Sequence, residues 1–176
     1  MKQNNIKQKI REFYFVYPSK RLRVREIERE LHLPLPSVIR YCRELEKEGI
    51  LTIEKIGTVK FYKASRSSKY LLEKKLFNIR ELYESGLVEH IKIELHNPAI
   101  VLFGSYSNGE DTEESDIDLY VETPSKKQIS LAVYQQKLKR DIQLHRQKDI
   151  KKIKNPNLAN NILNGITLNN QIEVFK

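Results

Sequence analysis

A chain of 176 residues has room for one or two domains, and 39% hydrophobic with 31% charged residues allows a buried core beneath a well-solvated surface. No apolar run approaches the length needed to cross a bilayer and no secretory leader opens the sequence, which predicts a cytoplasmic protein without a membrane partner. The single cysteine, Cys42, excludes an internal disulfide and a cysteine-rich zinc site.

The net charge of +9 is unevenly spread. Residues 99–123 carry seven carboxylates and no basic side chain, whereas residues 1–65 sum to +7 and residues 124–176 to +8. Basic flanks around an acidic centre suit phosphate-rich partners.

Taken in chain order, residues 4–17 read as a helix, with Ile6, Ile10, Phe13 and Val16 or Tyr17 at helical spacing and Pro18-Ser19 as the stop. A second short helix spans Arg23 to Leu31, with Val24, Ile27 and Leu31 on one face. A third starts near Ser37 and runs to Glu48, where Val38, Cys42 and Leu45 make a stripe for burial and Gly49 follows as a C′ residue. Opposite that stripe the pattern offers Ser37, Arg40, Tyr41 and Arg43 to solvent. The segments L-T-I-E-K and V-K-F-Y-K form a hairpin around Gly57, presenting Lys55, Lys60 and Lys63. Residues 66–96 read as two helices broken at Ser85-Gly86, whose apolar surplus suits packing on a following sheet or a homodimer seam. Beyond the acidic centre, the pattern predicts a helix from Thr123-Pro124-Ser125 through Leu138 and a strand around Ile142 and Leu144. A helix from Asp149 follows, interrupted at Asn155-Pro156, and then a terminal strand or arm from Ile166 to Phe175. Four histidines, at 32, 90, 96 and 145, lack metal-ligand spacing and suit surface or supporting roles; the Lys148–Lys154 run suits a solvated face.

The stretch from Ile100 to Glu122 carries the chemistry. Apolar residues Ile100 to Phe103 run into Gly104-Ser105, a polar loop follows, and a second apolar run carries Asp116 and Asp118. On a strand these two aspartates share a face, while Ile117, Leu119 and Val121 point the other way. Paired carboxylates repel unless a cation offsets them, and hard oxygen ligands suit Mg²⁺ or Mn²⁺ held together with substrate phosphates. Glycine at a strand-to-helix turn lets backbone amides approach an anion closely.

Phe103-Gly104-Ser105, Gly109 and Ser115-Asp116-Ile117-Asp118-Leu119 resemble the signature of minimal nucleotidyltransferases of the polymerase-beta superfamily: G-S, about ten intervening residues, then D-x-D among hydrophobics. The resemblance implies a bound nucleoside triphosphate at Gly104, Ser105 and Ser115, and Mg²⁺ (or Mn²⁺) on Asp116 and Asp118. It further implies transfer of a nucleotidyl group to a hydroxyl of a protein, a nucleic acid or a small molecule. Active members bring a third carboxylate on the next strand, in a V-D-L-type segment. Here that segment is Arg140-Asp141-Ile142-Gln143-Leu144-His145, so the third acid is either displaced to Asp141 or absent, with Gln143 in its place. Asn108 also stands where a basic residue often follows the G-S turn.

The first 60 residues or so resemble a winged helix-turn-helix domain, through V-R-E-I-E-R-E-L, P-S-V-I-R-Y-C-R-E-L-E-K-E-G-I-L and the Tyr62-ending wing. That resemblance implies double-stranded DNA as partner, the third helix in the major groove, and Ser37, Arg40, Tyr41, Arg43, Lys55 and Lys60 as its contacts. The expected architecture is α+β: a winged helix-turn-helix over 1–65, a helical connector over 66–96, and a nucleotidyltransferase fold over 97–176 with a small mixed sheet and flanking helices. The expected function is an NTP–Mg-dependent nucleotidyltransferase joined to a DNA-binding domain. The alternative is a transcription regulator whose weak or inactive transferase domain senses nucleotide or mediates protein contact.

Overall fold

The computed structural model describes residues 2–174. The chain divides into two compact units, the first ending at Phe77 and the second starting at Asn78.

In the first unit, helices α1 (Lys2–Val16), α2 (Val24–Leu31) and α3 (Leu35–Lys47) precede a hairpin of β1 (Leu51–Ile56) and β2 (Val59–Ala64), and α4 (Ser68–Glu84) begins after it. α3 starts two residues earlier than the sequence pattern suggests, because Pro36 sits in its first turn, where a missing N–H and a fixed φ are no handicap. Ile10, Phe13, Tyr14, Ile27, Val38, Cys42, Leu45 and Tyr62 meet in one core. Two tyrosine hydroxyls tie the core to backbone: Tyr14 donates to the Tyr62 carbonyl at 3.0 Å and Tyr70 donates to the Tyr14 carbonyl at 2.7 Å. Leu22 adds a short antiparallel bridge to Tyr62, lengthening the hairpin edge by one partner.

In the second unit, α5 (Leu87–Glu94) leads into β3 (Ala99–Phe103), α6 (Gly104–Asn108), β4 (Ile117–Glu122), α7 (Ala132–Leu138), β5 (Ile142–Gln147), α8 (Pro156–Leu163) and β6 (Ile166–Asn169). The strands form one sheet in the order β5-β4-β3-β6. β3 runs antiparallel to both β4 and β6, while β4 and β5 are parallel. Both faces of the sheet are covered. Ile100, Leu102, Ile117, Leu119 and Val121 pack with Leu82, Leu87, Val88 and Ile91 on one side; Val101, Phe103 and Tyr120 pack with Ile150 and Ile162 on the other. β3 is accordingly buried at every position, as a continuous apolar strand should be.

Three expected elements differ. The helix foreseen from Thr123 begins only at Ala132. Pro124 and local side-chain bonds hold the preceding segment out of a helix: the Ser125 amide donates to the Thr123 hydroxyl and the Lys127 amide to the Ser125 hydroxyl. The helix foreseen from Asp149 is one 3-10 turn, Ile150–Lys152, capped by the Asp149 carboxylate. The terminal strand ends at Asn169, and Phe175, to which the arm was expected to run, lies outside the described residues. Among the described residues no helix is long and apolar enough to cross a membrane.

Cys42 is fully buried in the first core, and that burial pushes its thiol from an ordinary 9.0 up to about 12. A thiol-specific chromogenic reagent at pH 8 should leave the native protein unmodified and titrate one thiol after guanidinium is added. Because the folded thiol is the weaker acid, its contribution to stability should be complete below the ordinary thiol range and fade as pH rises toward 12.

Candidate functional site

The end of β3 delivers Phe103 opposite Asp118 in the antiparallel register, so the turn at Gly104 lies directly against the second aspartate. Gly104 has φ +74, and a Cβ built there would stand 2.5 Å from Asp118 Oδ2. No L side chain fits this position without moving the carboxylate. α6 then turns the chain back: the Ser107 hydroxyl donates to the Gly104 carbonyl at 2.7 Å, and the Glu110 amide donates to the Ser105 carbonyl at 3.0 Å. Ser115 is drawn into the loop itself, accepting from the Thr112 amide at 2.9 Å.

The parallel pairing of β4 with β5 sets Gln143 beside Asp118 and His145 beside Tyr120. Gln143 and His145, two residues apart, share a face of β5 and each meets one aspartate. The Gln143 carboxamide donates to Asp116 Oδ2, and His145 Nε2 lies 3.4 Å from Asp118 Oδ1. The His145 ring stands edge-on to Phe103 with centroids 5.2 Å apart. Asp141 lies just before β5; its backbone carbonyl accepts from the Ile117 amide at 2.8 Å. Its exposed side chain lines a cleft of about 460 Å³ together with Glu114, Ser115 and Asp116. Among the described residues no group of three or more His, Cys, Asp or Glu side chains forms a metal cluster.

Beneath the acidic loop lies a buried polar network. Asp111, 2% exposed, accepts from the Asn78 carboxamide at 2.8 Å and faces Arg140 Nη2 at 3.4 Å. Asn78 also donates to the Tyr106 carbonyl at 2.9 Å. The network ties the start of the loop to the residue that precedes Asp141. The same burial, with the Asp111 charge nearby, raises the Tyr106 phenol above its ordinary range.

Residues 87–173 match the family model described as Polymerase beta, Nucleotidyltransferase. That similarity supports a nucleotidyltransferase-type fold for the second unit. No curated protein and no solved structure matches the chain. The α+β architecture, with small sheets and flanking helices, is the one expected of such a domain.

In the first unit the residues expected at a DNA surface separate. Ser37 is half-buried, and Arg40, Arg43, Lys55 and Lys60 are exposed. Tyr41, expected on the exposed face of α3, is instead 4% exposed and belongs to the core. It flanks the predicted stripe by one position, and the stripe is wider than Val38, Cys42 and Leu45 alone. The Arg40 guanidinium covers its ring at 4.7 Å and bonds Glu44 at 3.0 Å.

His145 was legible by strand alternation from Gln143, since residues two apart share a face. Asn78, Asp111 and Arg140 had no such signal, because their partners in the network lie 28 to 33 residues away.

Two outcomes follow. Asp111→Ala removes the carboxylate that faces the buried Arg140 guanidinium at 3.4 Å and should cost about 3–5 kcal/mol in a denaturant titration. Gly104→Ala should cost about 1–2 kcal/mol from the left-handed backbone alone. It should also weaken Mn²⁺ binding, measured by electron paramagnetic resonance, because Asp118 must give way.

Proposed function

We propose that the nucleotidyltransferase-type domain binds a nucleoside triphosphate with Mg²⁺ and transfers a nucleotidyl group slowly. We further propose that the first unit is a winged helix-turn-helix that holds the protein on duplex DNA. The observation that supports the first reading is the seating of the Asp118 carboxylate against the Gly104 turn, since a turn that would take phosphate then lies beside a carboxylate that would take a cation.

In this reading Asp116 and Asp118 hold the cation, while Gly104 and Ser105 orient the triphosphate through the backbone at the start of α6. Mg²⁺, when bound, supplies neutralisation of the charge that develops on the phosphate oxygens and the leaving pyrophosphate. The residues fit it: two oxygen-donor carboxylates on one face, with no side chain on Gly104 to fill the approach. Gln143 sits where the third carboxylate belongs. A carboxamide cannot take a proton from an acceptor hydroxyl, and its N–H already satisfies Asp116.

That Gln143–Asp116 bond also favours a second reading, a transcription regulator whose transferase domain senses nucleotide. Nucleotide occupancy would then alter DNA affinity without turnover. For the first unit, support comes from three helices followed by an antiparallel hairpin, the Leu22–Tyr62 bridge and a charge of +7 over residues 1–65.

The test is incubation with α-labelled nucleoside triphosphates, Mg²⁺ and cell lysate. Wild type should label a macromolecule slowly, and the labelled species identifies the acceptor as protein or nucleic acid. Asp116→Asn with Asp118→Asn should abolish both labelling and Mn²⁺ binding while leaving the fold intact. Gln143→Asp should raise the rate by about tenfold or more by restoring a base, and Asp141→Asn should change it little. Brisk wild-type turnover that dies on Asp141→Asn would make Asp141 the third acid. Nucleotide binding without any labelling, coupled to altered DNA affinity, would favour the sensing reading.

A further inference from the structure

A cleft of about 610 Å³ opens in the first unit between α2, α3 and β2. Five basic residues line it: Arg23, Arg25 and Arg29 at and along α2, Arg43 from α3 and Lys60 from β2. The one acid in its wall, Glu26, is committed to Arg23 at 2.6 Å, and that guanidinium holds its carboxyl below the usual range. Arg25, Arg29, Arg43 and Lys60 are exposed, and among the described residues no salt bridge joins them to a carboxylate. The hairpin register adds a second sign of an anionic guest, because Lys55 and Lys60 stand directly opposite each other. Like charges across a strand pair are unfavourable in isolation and are relieved by an anion between or above them.

Arg40, by contrast, does not line the cleft. Its guanidinium is turned to Glu44 and lies over Tyr41. The cations of the cleft come from three separate elements, α2, α3 and β2. That spread fits a repeating anion better than a single small one.

We propose that this cleft grips the sugar-phosphate backbone of duplex DNA, with Arg25 and Arg29 of α2 as the main phosphate contacts and Arg40 outside the contact. The inference rests on the DNA-binding reading of the first unit and moves the electrostatic contact from the exposed face of α3 to α2. Phosphate contacts from exposed guanidinium groups give affinity and orientation without sequence choice, and each releases condensed counterions.

The test is fluorescence anisotropy of the full chain with a labelled mixed-sequence duplex, titrated at several salt concentrations. Replacing Arg25 and Arg29 together with Ala should flatten the slope of log affinity against log salt by about 1.8, two phosphate contacts at about 0.9 each. Between about 50 and 200 mM salt, wild type should therefore lose about twelvefold more affinity than the double variant. The paired Lys substitutions, which keep the charges, should restore the slope, and Arg40→Ala should keep the wild-type slope. Thermal melts of all variants should coincide, since these side chains are exposed. A slope that falls with Arg40→Ala and not with the α2 pair overturns this inference and leaves DNA binding standing. Absence of wild-type binding to any duplex at low salt removes the DNA-binding reading itself, and this inference with it.

Discussion

The candidate site depends on one steric constraint: a backbone must pass within van der Waals reach of a carboxylate. At Gly104 the chain leaves β3 with a positive φ, and Asp118 occupies the space where any side chain would begin. The antiparallel pairing of Phe103 with Asp118 enforces that meeting, so the register of two buried strands sets the distance between turn and acid. Strand register is well specified where one face of a strand is apolar and buried, because a slip by one residue would turn the aspartates into the core and Ile117 and Leu119 out of it. The precision of the polar site is thus inherited from the apolar residues that alternate with it.

Around that constraint the electrostatics are arranged in two tiers. Asp116 lines the cleft and Asp118 lies against the Gly104 turn, and β5 sets the Gln143 carboxamide against the first and the His145 ring against the second. Below, Asp111 and Arg140 form a pair almost sealed from water, completed by Asn78. Such pairs contribute little net stability compared with apolar packing, but they are costly to break on one side. Their effect here is to fix where the loop begins and where β5 starts, and so to hold Gln143 within reach of Asp116.

Much of this was legible in the sequence where local pattern governs it. The apolar run into Gly104, the alternation of Asp116-Ile117-Asp118-Leu119 and the helical stripe of Val38, Cys42 and Leu45 each have one stable reading. The pattern failed where local and tertiary preferences compete. Thr123-Pro124-Ser125 reads as a helix start, but Pro124 and the serine and threonine hydroxyls capture the backbone first. Tyr41 is amphipathic, so periodicity alone could not decide which side of α3 would keep it. The side chain opposite Gln143 was set by the parallel crossover from β4 to β5, and those around Asp111 come from α4 and from the end of that crossover, which no short window of sequence encodes.

The position of β6 has a consequence for handling the protein. This short strand pairs along β3, whose five residues are all apolar and buried, and Gly165 lets the chain swing in close: a Cβ there would meet the Leu102 carbonyl at 2.5 Å. The last strand is therefore a cover for the most adhesive edge in the domain. A chain shortened before Ile166 would keep Gly104, Asp116 and Asp118, yet it would bare a run of unpaired amides flanked by Ile, Val, Leu and Phe. Such an edge recruits strands from other molecules, so the truncated protein would be lost to self-association rather than to a missing catalytic group.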